Sequence, residues 1–273
     1  MSKATSSSHS KHHTRKRSFF PYEIAVISTL GPETVRDQTL VLLKAYHIPA
    51  DKITIWIQSP GQESAYKSVC IPGSFARIVC VPSQSESEFY NTISQSYCPG
   101  TPIVYFSDHI TGIYEHSSSQ TSSAKPLRSL LGLFHTAFAE CKQNECMLWG
   151  VQPSHSQTVY RPTVSTSLHT LSSALWGCIN PGSLLSLQLQ HAVEYERCVK
   201  YYLRDEAVLR FNMIELQCLE STATNTKQLA VAAKRLLENY PNYVHIQPSK
   251  HSREFVIRLK DCSESKQSDQ ERQ

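Results

Sequence analysis

No stretch of the 273-residue sequence approaches the roughly 18 apolar residues of a membrane-crossing helix, which argues against a helical span. The first twenty residues also lack the apolar core of a secretory leader. No two cysteines stand as a CxxC pair. The nine that are present, at positions 70, 80, 98, 141, 146, 178, 198, 218 and 262, are odd in number, and several lie in apolar runs where a thiol behaves as a small hydrophobe. A reducing, intracellular compartment is the expectation. GxGxxG and GxxxxGK[ST] are both absent, so neither a dinucleotide fingerprint nor a P-loop is supported. Residues 1–20 contain no acid, while Lys3, Lys11, Arg15, Lys16 and Arg17 lie there; in the rest, 22 Lys and Arg meet 23 Asp and Glu. The body is therefore electrically balanced, and any attraction for nucleic acid belongs to the tail.

What is present suffices for one large α/β domain: 40 per cent of the residues are apolar. Residues 1–20 are low in complexity and are expected to be a disordered basic tail, with the cluster 11–17 reading as a nuclear address or a nucleic-acid arm. Ordered structure is expected over 21–260, with a second disordered tail at 261–273. An apolar run at 24–28, a helix over 33–46 and an alternating run at 52–58 make a βαβ unit. A short helix within 61–72, a strand at 77–81, a polar helix at 85–97 and a strand at 102–106 continue the pattern, which fits a mainly parallel sheet covered on both faces. The last of these strands ends in Ser107-Asp108-His109. Ligands in open α/β sheets bind beyond the carboxyl ends of strands, and carboxylate oxygen with imidazole nitrogen suits Mn²⁺ or Zn²⁺, so Asp108 and His109 are the first candidate pair.

Residues 116–126 read as a surface loop, either a lid or a simple linker. Residues 127–141 carry apolar side chains at spacings of three and four, the pattern of a core helix. Trp149-Gly150 and Trp176-Gly177 each end an apolar segment, which suggests backbone packed closely beside a large ring. The longest helix is expected over 184–211. On it Glu194 and Glu196 project about 200 degrees apart, so both cannot line one site. A helix over 228–239 and a hairpin of 243–247 with 254–259 close the chain.

Arg36 and Thr39-Leu40 in the first helix, Asn91, the strand ending in Asp108, Leu148-Trp149-Gly150, Leu175 to Asn180, Val193-Glu194-Tyr195-Glu196 and Val208 to Asn212 occur in a telling order. In that order they resemble the TET-associated glycosyltransferases of oxidised DNA pyrimidines, relatives of the base J glucosyltransferase. The resemblance runs from about residue 22 to 260. It implies a GT-A-like nucleotide-sugar-binding domain that transfers sugar from a UDP-sugar to a hydroxylated DNA base or another macromolecular hydroxyl, with Mn²⁺ or Mg²⁺ at the diphosphate. Carried over residue by residue, it implies Asp108 and His109 as metal ligands, Glu194 and Glu196 as catalytic residues, with Glu194 deprotonating or orienting the acceptor hydroxyl, and Arg36, Asn91, Asp108, Trp149 and Arg210 as nucleotide-sugar contacts. The family's run of aspartates is here Ser107-Asp108-His109, and its glycine-rich turn is Ser221-Thr222-Ala223-Thr224. These departures mark a diverged member, and the alternative is a catalytically inactive GT-A-like domain that binds a protein or nucleic acid.

Overall fold

The computed structural model describes residues 21–117, 124–153, 160–219, 226–248 and 255–260. The expected tails at 1–20 and 261–273, most of the 116–126 loop and the 221–224 turn lie outside the described residues. In chain order the elements are β1 (Glu23–Ser28), α1 (Pro32–Thr34), a π-helical turn (Val35–Thr39), α2 (Leu40–Ala45), β2 (Ile53–Ile57), α3 (Glu63–Val69), β3 (Arg77–Cys80), α4 (Glu86–Gln95), β4 (Pro102–Ser107), β5 (Ile110–Glu115) and β6 (Lys125–Pro126). There follow α5 (Leu130–Gln143), β7 (Leu148–Val151), β8 (Val164–Ser165), β9 (Leu175–Ile179), α6 (Val193–Asp205), β10 (Leu209–Phe211), β11 (Ile214–Cys218), α7 (Thr226–Asn239), β12 (Val244–Pro248) and β13 (Phe255–Leu259).

Eight strands form the central sheet in the order β3-β2-β1-β4-β9-β7-β10-β8. β9 runs antiparallel to β4 and β7, and β8 antiparallel to β10, while the other neighbours are parallel. This is an α/β domain with a mixed but largely parallel sheet, consistent with the GT-A-like class expected. Reversing β9 alone leaves β3, β2, β1, β4, β7 and β10 pointing the same way, so six carboxyl ends gather on one edge. A small sheet, β11-β5-β6, rises beside that edge, and β12 pairs with β13 as the expected hairpin.

Side chains alternate across a strand, and here both faces are apolar because both are covered. Ile24, Val26, Val104 and Phe106 join one core with Leu43, Phe134 and Phe138; Ala25, Ile27, Ile103 and Tyr105 join the other with Phe89, Val199 and Leu236. Trp149 and Gly177 are cross-strand partners, and a Cβ on Gly177 would lie 2.5 Å from the indole Nε1 of Trp149. That close approach explains the glycine of the second Trp-Gly pair: only a bare backbone admits the ring.

The expected helix over 184–211 is much shorter, Val193–Asp205. Glu196 in its first turn accepts hydrogen bonds from the backbone N–H groups of Gln188 and Leu189, which ties residues before the helix into a loop. Ala192 turns the chain into the helix with φ 59°. At the other end Glu206 takes φ 55° and the chain passes into β10. The local pattern offered a longer helix; a buried carboxylate claimed the backbone donors instead.

Candidate functional site

The crevice at the carboxyl ends of β1 and β4 contains a cavity of about 370 Å³ bordered by Thr29, Ser107 and His109 on the strand side and by Glu86, Tyr90, Glu194 and Tyr195 on the helix side. A second cavity of about 470 Å³ adjoins it through Ile27, Thr29, Glu86 and Tyr90, and is lined by polar groups including Gln58, Ser83, Gln190 and Gln228. Polar amides beside an apolar floor can read the edge of a heterocyclic base while its faces stay dry.

The strand side follows from period-two alternation. Ser107 and His109 border the cavity, and Asp108 between them is fully buried. Its Oδ2 accepts from Ser28 Oγ, Thr29 N and Leu30 N, all at 2.8 Å, and its Oδ1 accepts from Thr29 Oγ1 at 3.3 Å. Ser28 Oγ lies 2.6 Å from the hydroxyl of Tyr66, which extends the network under the loop after β1. The expected metal ligand therefore faces the loop backbone rather than the crevice, and it shapes the crevice by fixing the loop that carries Thr29. Thr29 Oγ1 also lies 3.0 Å from His109 Nε2, joining the two strand ends across the cavity wall.

On the helix side stand two acids. Glu194 at the start of α6 is partly buried, and burial raises its pKa above the ordinary carboxyl range, with its own backbone N–H and Arg197 opposing. Glu86, the first residue of α4, is pushed up to about 7 by burial first and by the neighbouring Glu194 second, with Arg197 pulling it down. Beneath them the Arg197 side chain is 1% exposed, its guanidinium 3.7 Å from the Trp176 ring centre and 5.8 Å from that of Tyr90. Its Nε and Nη2 have no hydrogen-bond partner among the described residues. Burial raises both carboxyls above this dry cation, Glu86 to about 7, which suits the pair to general acid–base work.

The other expected site residues lie elsewhere. Glu196 is fully buried, bound to the 188–189 backbone and paired with Lys200 at 2.9 Å, on the opposite side of α6 from Glu194. Asn91 exchanges two hydrogen bonds with the backbone of Leu187, so it clamps the loop before α6. Trp149 is fully buried among Phe134, Phe138 and Phe211. Arg36 pairs with the adjacent Asp37 and lines a separate cavity that includes Ile53, the first residue of β2. Arg210 donates to Asn212 Oδ1 at 2.7 Å and has its pKa lowered by burial. The crevice thus gathers His109 and Glu194 of the expected set. Sequence reading missed Glu86, which stands in a Ser-Glu-Ser-Glu run where nothing local sets it apart, and Arg197, which reads as one of several helix charges.

A Mn²⁺ or Mg²⁺ ion at the strand end calls for several oxygen ligands. Ser107 and His109 offer one hydroxyl and one imidazole, the intervening carboxylate is turned inward, and among the described residues no group of three or more His, Cys, Asp or Glu is placed to hold a metal. The donor set does not fit the ion that the resemblance implies.

No protein-family model matches the chain, and no curated protein matches it in sequence. Among solved structures, glucosyl-3-phosphoglycerate synthase from Mycobacterium tuberculosis, crystallised with Mn²⁺, UDP and glucosyl-3-phosphoglycerate, overlaps 88% of this chain and 87% of its own at 10% identity and a TM-score of 0.49. TarS of S. aureus overlaps 81% of this chain at 10% identity and a TM-score of 0.46, and the chain spans only 40% of TarS. Mannose-6-phosphate isomerase from Helicobacter pylori overlaps 89% of this chain and 88% of its own at 9% identity and a TM-score of 0.30. Overlaps this loose carry no argument about activity. Among the described residues no helix is long and apolar enough to cross a membrane.

Proposed function

We propose that the crevice binds a nucleotide sugar and transfers its sugar to a hydroxyl acceptor. One observation carries the reading: a single cavity has Thr29, Ser107 and His109 from the ends of parallel strands on one wall and the Glu86–Glu194 acid pair on the other. The amide-lined neighbouring cavity takes the base, and the sugar lies between the walls. The acceptor oxygen attacks the anomeric carbon, the bond from that carbon to the diphosphate oxygen breaks, and the nucleoside diphosphate leaves with the bonding electrons. Glu194, whose proton affinity burial raises, accepts the acceptor's proton with Glu86 beside it on the same wall. No step is assigned to a metal ion, because the strand-end donors do not fit one.

A UDP-sugar as donor, and a hydroxylated DNA base as the acceptor, are the finer readings. They rest on the family resemblance and on the five cations of residues 1–20. The inward turn of Asp108 favours a second reading, a domain that keeps the crevice without the chemistry and serves to bind a partner. Calorimetry with UDP and UDP-glucose, each with and without Mn²⁺, separates the two. The expected result is wild-type binding, retained in Glu194→Gln, with sugar transfer lost in that variant. No heat from folded wild-type protein at millimolar UDP in either condition defeats the transferase reading.

A further inference from the structure

We propose that Cys141 and Cys146 are a redox modification site, closing into a reversible disulfide at the carboxyl end of α5. The site lies outside the crevice and does not depend on the function proposed for it. α5 ends at Gln143; Asn144 N donates to Glu140 O at 2.9 Å, Glu145 turns to φ 51°, and Cys146 N donates to Cys141 O at 3.0 Å. That last bond spans six residues and closes a Schellman motif, whose two ends ordinarily bring apolar side chains into contact. Here the two ends are thiols. Cys141 is fully buried and Cys146 is 2% exposed; both are free, and their side chains are hydrogen-bonded to each other. The shared hydrogen bond raises the pKa of Cys141 and lowers that of Cys146. In the proposal Cys146 is the attacking thiol and Cys141 the resolving one.

Burial would make the pair inert were it sealed. A cavity of about 270 Å³ is lined by both cysteines with Phe138, and its border includes the exposed Lys142 and Arg204. It admits a small hydroperoxide. The Cys146 thiolate attacks a peroxide oxygen, the O–O bond breaks, and the departing hydroxide takes up the thiol's proton as water, leaving a sulfenic acid. The Cys141 sulfur then attacks the Cys146 sulfur, the S–O bond breaks, and the second water leaves with the Cys141 proton. Two thiols are oxidised and one hydrogen peroxide is reduced to two waters; an external dithiol reverses the change by exchange. Cys178 and Cys198 are also buried, but burial dominates their raised pKa and suppresses the thiolate.

The test treats the full chain, verified as folded, with hydrogen peroxide raised until the exposed Cys98 is oxidised, then blocks free thiols by alkylation and cleaves after Lys142. The expected result is that the fragments carrying Cys141 and Cys146 are recovered joined, two hydrogens lighter than their sum, and separate on reduction. Cys178→Ser keeps the joined species. Cys141→Ser loses it and leaves a sulfenic acid on Cys146 that a dimedone-type reagent traps. Recovery of both cysteines alkylated on separate fragments, once Cys98 has been oxidised, overturns the proposal, as does a joined species that pairs either one with a different cysteine.

Discussion

The two walls of the crevice keep their acids in opposite conditions. On the strand wall, Asp108 is fully buried and takes hydrogen bonds from Ser28, Thr29 and Leu30. On the helix wall, Glu86 and Glu194 are partly buried and both are raised by burial, Glu86 further by the neighbouring Glu194, and they share the influence of one buried arginine. A carboxylate whose oxygens are fully engaged stabilises the loop that holds it and is unavailable for proton transfer. An acid that is desolvated and left with a like-charged neighbour is strained toward its neutral form and is ready for it. Glu194 and Glu196, two residues apart on α6, repeat the contrast, since Glu196 is tied to two backbone N–H groups and Lys200 while Glu194 borders the cavity.

The largest effect that follows belongs to the strand wall. Asp108→Asn keeps the volume but replaces one acceptor oxygen with an amide donor facing donors, so it should lower stability by about 3 kcal/mol. Denaturant unfolding measures this; a loss under about 1 kcal/mol would mean that the network is not what holds the loop, and the contrast between the walls would fail.

A smaller effect sharpens the other wall. Because the pKa of Glu86 is raised from 4.5 to about 7 on folding, the folded chain binds more protons than the unfolded chain between those values. Its contribution therefore makes stability fall as pH rises from about 4.5 to about 7, and this slope should flatten in Glu86→Gln. Thermal midpoints across that window, wild type against variant, carry the comparison. An unchanged slope in the variant would remove Glu86 from the pair.

Least of all should happen at Arg36. Its ion pair with Asp37 is solvent-exposed and it borders a different cavity, so Arg36→Ala should leave the denaturant midpoint essentially unchanged. UDP affinity should not move either. Loss of nucleotide binding in that variant would extend the site beyond the crevice.

Much of the fold was open to reading along the chain. The buried runs of β1, β2 and β4 are short, apolar and set off by turn residues, and α5 repeats its apolar residues at helical spacing, with Ser129 accepting from Gly132 N to fix its start. The candidate site was open only in part. The strand end was located by its position after an apolar run, but which of Ser107, Asp108 and His109 enters the crevice depends on strand alternation and on the loop after β1. Glu86 was hidden because its partner lies more than a hundred residues away.

By itself, then, the sequence determined the elements that local forces decide: which segments alternate, which carry an apolar stripe, and where a buried sheet begins. Tertiary structure decided the reversal of β9, the shortening of the expected 184–211 helix to Val193–Asp205, and the division of the acids into those engaged by several donors and those raised by burial. The physical reason is the same in each case. Periodicity reports whether a side chain seeks water or the core, but a carboxylate's behaviour depends on which donors, charges and depth of burial the rest of the chain brings to it.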